Sequence, residues 1–172
     1  MSDRDQLLAS LNAGRGDLLA AVEGLTDEQA AIKPADGGWS ALECVEHVAT
    51  AETRMFRRLT QSVAVEEELS REREPALYTR LATRGRKFEA PEHVRPTGRY
   101  ATFGEAVGAF LDARERTVKW LDSCDFDLRR RSVVHPLLGP ASAYELILIM
   151  AAHPARHARQ IQEGRGPIAE SR

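Results

Sequence analysis

SAYELILIMAAHPARHARQIQEG, residues Ser142–Gly164, is the stretch from which the fold can be read. Ser142 followed three residues later by Glu145 forms a capping box, in which each side chain serves a backbone N–H of the other residue at a helix start. The apolar run Leu146–Ala152 follows. Seven residues cannot cross a bilayer, which needs roughly 20, so the run is expected in a protein core. The helix is expected to extend to about Glu163, where Gly164 and then Gly166-Pro167 end it.

A helix this apolar needs partners, and the rest of the chain offers three more capping boxes: Thr26–Gln29, Ser40–Glu43 and Thr102–Glu105. Leu7, Leu8, Leu11, Leu18, Leu19 and Val22 keep a 3.6-residue period, which predicts a first helix over about Asp3–Glu23. Gly14 and Gly16 either weaken that helix or admit a close neighbour. Gly37-Gly38 is a breaker pair ahead of Trp39. A second helix opens at Ser40 with Leu42, Val45, Ala49, Phe56 and Leu59, and its pattern can continue to Glu74, where Pro75 would stop it. A third helix follows Thr102, with Phe103, Val107, Phe110, Arg114, Val118 and Leu121 in phase. Ser132-Val133-Val134 is too short to count as a strand. The expected fold is an all-α four-helix bundle, one domain over residues 1–172, with a long connection from Pro75 to Ala101. Leu77–Phe88 is the alternative place for a short extra helix within it.

Composition narrows the function. A formal net charge of −2 leaves no basic stripe for nucleic acid, and 42% hydrophobic against 29% charged residues excludes a disordered chain. No segment spans a membrane. The opening MSDRDQLL has no apolar signal core, and Cys44 and Cys124 make no disulfide framework. A cytoplasmic location is the expectation. Apolar residues on several helix faces keep a homodimer open.

Among the five histidines, His153 and His157 are four apart, so both project from the face that carries Leu146, Met150 and Ile161. Imidazoles on an inward stripe are costly unless their nitrogens are satisfied. Hydrogen bonds to neighbours would suffice, and one metal ion would satisfy both at once. The H-E-x-x-H protease motif is absent, because Pro154 stands where it needs Glu. Pro154 cannot donate to the carbonyl of Met150 and should kink the helix. His47 falls at the edge of the apolar arc of its helix, near Cys44 and Ala51, where a histidine is commonly a polar boundary. Three imidazoles together would leave open metal positions, as catalytic sites do. Cys44 is either a fourth ligand or a small buried hydrophobe. His93 and His135 read as loop residues, Trp39 as a core plug and Glu43 as half of a cap. Arg80, Arg84, Arg86, Lys87, Arg95 and Arg99 either draw an anionic substrate or form a solvated surface. Arg129-Arg130-Arg131 reads as solvated.

Two motifs resemble the DinB/YfiT-like family. Trp39-Ser40, Glu43 and His47 match its W-S-x-x-E-x-x-x-H, and His153, Arg156, His157, Gln160 and Ile161 match its H-x-x-R-H-x-x-Q-I. His135-Pro136 with Gly139, and Pro96 with Gly98-Arg99, are also similar. The resemblance implies a bundle of up-down-down-up connectivity. It also implies that His47, His153 and His157 bind one divalent metal, zinc or nickel. Pro154 departs from the residue usual there. Members resemble thiol-dependent enzymes, so the expected function is a thiol S-transferase that uses a low-molecular-weight thiol and a small-molecule substrate. Arg156 and Arg99 are the expected substrate contacts, and no catalytic residue maps from the family. A metal-dependent hydrolase and a non-catalytic metal-binding stress-response protein are the alternatives.

Overall fold

Each long helix begins where side chains satisfy the orphan N–H groups of its first turn. The computed structural model of the chain describes residues 2–83, 89–136 and 138–165. α1 spans Asp3–Val22, α2 Asp27–Ala31, α3 Ala41–Thr60, α4 Glu74–Ala82, α5 Phe103–Ser123 and α6 Ala143–Arg165. All four boxes read in the sequence are formed, at Thr26, Ser40, Thr102 and Ser142. A fifth, Ser2 with Asp5, opens α1. It escapes a search for Glu or Gln, because Asp stands at the reciprocal position.

Helix directions follow from the contacts at their ends. Arg165 in α6 donates to the carbonyl of Ala21 near the end of α1, so the two run the same way. Arg4 at the start of α1 reaches the carbonyls of Asp122 and Cys124 at the end of α5, so α5 runs the other way. His47, early in α3, meets His153, midway along α6, whereas Ser62 beyond α3 meets Arg131 ahead of α6. α3 therefore opposes α6 and parallels α5. The four long helices α1, α3, α5 and α6 form an up-down-down-up bundle. No described helix is long and apolar enough to cross a membrane.

Two consecutive parallel helices need a long crossover, and residues 61–102 supply it. α3 does not continue to Glu74. It ends at Thr60, and the amide of Gln61 closes on the carbonyls of Arg57 and Arg58. The following Glu66-Glu67-Glu68 run has little apolar surface to bury. Pro75 starts α4 instead of stopping α3, since a proline in a first turn forfeits no hydrogen bond. The extra helix anticipated over Leu77–Phe88 is α4, displaced toward the N-terminus; Arg84, Arg86, Lys87 and Phe88 lie outside the described residues.

The Ser132–Val134 segment is a strand after all. β2 (Arg131–His135) pairs antiparallel with β3 (Gly139–Ser142) and with β1 (Val63–Ala64). The alternation is short, with Val133 buried and Val134 exposed. Pairing from β1, distant in sequence, makes up for its length. Arg129 is not solvated either. It is 5% exposed, pairs with Glu74 at 2.8 Å and with Asp3, and lies 3.8 Å over the Tyr144 ring.

The bundle centre is polar. Arg114 on α5 is 1% exposed and Glu52 on α3 is 0% exposed. The guanidinium makes a fork of two bonds, 2.8 and 3.0 Å, to that carboxylate. It also donates to the carbonyls of Leu11 in α1 and of Met150 in α6. The Met150 carbonyl is available because Pro154, four residues on, has no N–H to give it. Gly14 marks a close approach at this level, since a Cβ there would collide with the carbonyl oxygen of Ala151 and crowd Pro154.

Breaking a buried ion pair from one side costs about 3–5 kcal/mol, so Arg114→Met should lower unfolding stability by that order in urea. Adding Pro154→Ala to Arg114→Met should recover part of the loss, by returning an N–H to Met150. The same change in the wild-type chain should be neutral or unfavourable. Strict additivity of the two substitutions would contradict this coupling.

Candidate metal centre

His47 owes its place to the start of α3, where the Ser40–Glu43 box is reinforced by Lys33 at 2.9 Å from Glu43. One side of the imidazole is anchored: Nδ1 lies 2.8 Å from the carbonyl oxygen of Val94. A carbonyl only accepts, so the proton sits on Nδ1 and the lone pair on Nε2 points inward. α6 supplies His153 and His157, one helical turn apart. Nε2 of His153 is 3.1 Å from Nε2 of His47 and 3.2 Å from Nε2 of His157.

These separations fit a shared ion. Nitrogens bound at about 2.0–2.1 Å in a tetrahedral set stand about 3.3 Å apart. Among the described residues the group that could hold a metal ion is His47, His153 and His157, with ligand atoms all within 4.8 Å of one another. A proton on one Nε2 can at best be shared among the three rings, whereas an ion takes every lone pair. His47 is 5% and His157 6% exposed. Burial holds the pKa of His47 below its ordinary value, against the opposing bond to Val94. That of His153 lies well below, first through burial and then through the neighbouring His157 and His47. Both rings are therefore neutral, the form that ligates metal.

The loop that holds His47 is itself held. Glu46, 2% exposed, accepts from the backbone N–H groups of Thr97, Gly98 and Arg99 at 2.7, 3.1 and 3.3 Å. Val94 sits in a short 3-10 helix, Glu92–Val94, just ahead of them. Adjacent residues of α3 thus pin the crossover at two points. Trp39 closes the site from outside. Its ring is 4.9 Å from that of His47 and stacks on His157 at 6.2 Å. It is half-buried and packs against the apolar cluster of Val45, Val48 and Phe110, so it both plugs the core and covers the imidazoles.

The imidazoles form part of the wall of a cleft of about 1010 Å³. The same lining includes Arg156, Arg95, His93 and His135, so the last two belong to the cleft wall and not merely to loops. Arg156 donates to the carbonyl of Thr83 at 2.8 Å. Arg99 is placed elsewhere: its guanidinium bonds Thr50 Oγ1 at 2.8 Å and Thr97 Oγ1 at 3.2 Å, beside Glu46. Cys44 is fully buried in an apolar cluster with Val45, Val48 and Phe110, as a small hydrophobe would be. Sequence reasoning missed Glu46, Glu52 and the Val94 carbonyl. The carboxylates left a signal, since both occur on the inward side of α3 where apolar residues are the rule.

A model of the DinB superfamily matches residues 10–161. No curated protein sequence gives a match. Several solved structures share the fold, TT2238 and YfiT among them. TT2238, described as a four-helix bundle protein, has a TM-score of 0.60 at 21% identity, over 92% of this chain and 96% of that one. YfiT from Bacillus subtilis has a TM-score of 0.59 at 20% identity, over 95% of this chain and 87% of its own; it is described as a probable metal-dependent hydrolase with an unusual four-helix bundle topology.

Glu46→Ala should cost about 1–3 kcal/mol, the penalty for leaving buried donors unserved. Hydrogen exchange at the amides of Thr97, Gly98 and Arg99 should quicken well before global unfolding. Unchanged protection at these amides would show that the carboxylate does not hold the loop.

Proposed function

The chain belongs to the DinB superfamily, and on that premise we propose that it is a metal-dependent enzyme whose His47, His153 and His157 hold one divalent ion, zinc or nickel. The reaction we assign is transfer of a low-molecular-weight thiol onto an electrophilic small molecule. The observation that supports this reading is the convergence of three imidazole Nε2 atoms on the wall of a large cleft, with no fourth histidine, cysteine or carboxylate grouped with them among the described residues. Three protein ligands leave a position for substrate. Such an ion, when bound, lowers the pKa of a thiol or a water that reaches it.

The chain's own residues do the rest. The bond from His47 Nδ1 to Val94 fixes that ring's tautomer and orientation. Trp39 shields the ring faces from bulk water, which strengthens electrostatic interactions within. To Arg156, which lines the cleft, we assign a carboxylate of the second substrate. A cleft of about 1010 Å³ is at the upper end of the volumes usual for one small ligand, which suits two reactants. A thiol cosubstrate also suits a reducing compartment, the cytoplasm.

Hydrolysis is the second reading, favoured by the description of YfiT. It needs a general base near the ion. The carboxylates in the cleft lining are Asp36, Glu89 and Glu163. Asp36 bonds the amide of Gly38, Glu89 pairs with Arg95, Glu163 is exposed, and none of the three belongs to the group of atoms that could hold the ion. This leaves the transferase reading ahead. A non-catalytic metal protein would need a closed site, and the burial of Cys44 in the apolar core supplies no fourth ligand.

Purified protein should carry about one zinc or nickel ion per chain by elemental analysis, and His47→Ala, His153→Ala and His157→Ala should each lose most of it. Thiol consumption of a bimane-type electrophile should require the metal and should fall by at least about a hundredfold in His153→Ala. Full metal retention in all three variants would defeat the site. Turnover of ester or amide substrates without any thiol would favour the hydrolase.

A further inference from the structure

The cleft is chemically polarised along α3. His47, Ala51, Met55 and Arg58 follow at successive turns and all line it, with Arg54 beside them. Across from this row, Ile149 continues the His157–His153 row on the antiparallel α6. Moving away from the imidazoles, the lining is first apolar, through Ala51, Met55 and Ile149, and then cationic. Acidic lining residues Asp36 and Glu163 lie at the opposite end, where Gly164 packs near Pro34.

Two arginines stand at the cationic end, Arg54 exposed and Arg58 half-buried. Among the described residues no carboxylate pairs with Arg54 or Arg58. The two buried arginines among the described residues have such partners: Arg114 has Glu52 and Arg129 has Glu74. Arg58 is half-buried and near enough to His135 on β2 for its charge, after burial, to help depress the pKa of that ring. Cations gathered on a concave wall without counter-charge raise the local concentration of anions.

We propose that Arg54, Arg58 and the adjacent His135 form an anion subsite, which takes the carboxylate of an elongated substrate whose other end reaches the three imidazoles. Arg54 and Arg58 lie seven and eleven residues beyond His47, which a rise of about 1.5 Å per residue sets at roughly 10 and 16 Å along the helix. The ligand class follows: a metal-seeking head, a body of low polarity about that long, and a terminal carboxylate. Two guanidinium forks one turn apart on a helix match the planar geometry of that group. The head-group assignment rests on the metal-dependent reading above; the anion subsite itself does not.

The test compares ω-mercaptooctanoate with ω-mercapto-octanol on zinc-loaded protein by calorimetry, and octanoate with octanol on metal-free protein. The acid should bind about tenfold tighter than the alcohol in both pairs, as charge-assisted pairs do. Arg54→Gln combined with Arg58→Gln should abolish that preference while zinc content and alcohol affinity stay as in the wild type. Equal affinity of acid and alcohol in a fully zinc-loaded protein would overturn the subsite and leave the metal reading standing. A preference that survives both substitutions would also overturn it. Absence of zinc and of thiol binding, with octanoate still preferred, would sustain the subsite and remove the metal reading.

Discussion

The guanidinium of Arg114 sits where four helices meet, and each helix supplies something to it. α3 gives the carboxylate of Glu52, α1 the carbonyl of Leu11, α6 the carbonyl of Met150, and α5 the arginine itself. Burying a charge is expensive unless it is paired and its hydrogen bonds are met, so this arrangement tolerates little slippage. A shift of one helix by a single residue would strand a carbonyl or a carboxylate in the core. The same register sets the site, because Glu52 lies five residues after His47 and Met150 three before His153. Once Arg114 finds its acceptors, the imidazoles of α3 and α6 face each other.

Pro154 belongs to this arrangement. Inside α6 it removes one intrahelical bond, and the carbonyl so released becomes an acceptor for Arg114. The proline interrupts the ladder between the two histidines of its helix, yet both rings still converge with His47. Gly14 on α1 allows the backbones to approach at that level. Helix breaker, missing side chain and buried cation are therefore one structural feature, distributed over three helices.

Polar tethers also define the cleft. The crossover that parallel α3 and α5 require passes over the imidazoles, and Glu46 and His47 hold it through backbone groups of Thr97, Gly98, Arg99 and Val94. Arg99 is drawn into this tether. Farther along, the wall becomes apolar and then basic, which gives the cleft a direction. On the proposed reading, the imidazoles at one position and cations about two and three helical turns away would select ligands by length as well as by charge.

Much of the fold was legible in local patterns. Capping boxes and the 3.6-residue period depend on residues three or four apart, so Ser40–Glu43 or Ser142–Glu145 marks a helix start wherever the chain goes next. The His153–His157 pair is legible for the same reason. His47 was not: its stripe-edge position admits a plain boundary residue, and only family resemblance joined it to the pair. Arg114 stood in phase with the apolar stripe of its helix, but nothing local names Glu52, 62 residues away, as its partner. Local sequence thus determined which segments are helices, where they begin, and that two imidazoles share a face. Tertiary structure alone decided which carboxylate neutralises Arg114, that Arg129 is buried, that residues 131–135 make a strand, and that Arg54 and Arg58 share a cleft with the histidines. The reason is that those outcomes depend on helix direction and on the path of the crossover, which bring together groups that no short-range periodicity relates.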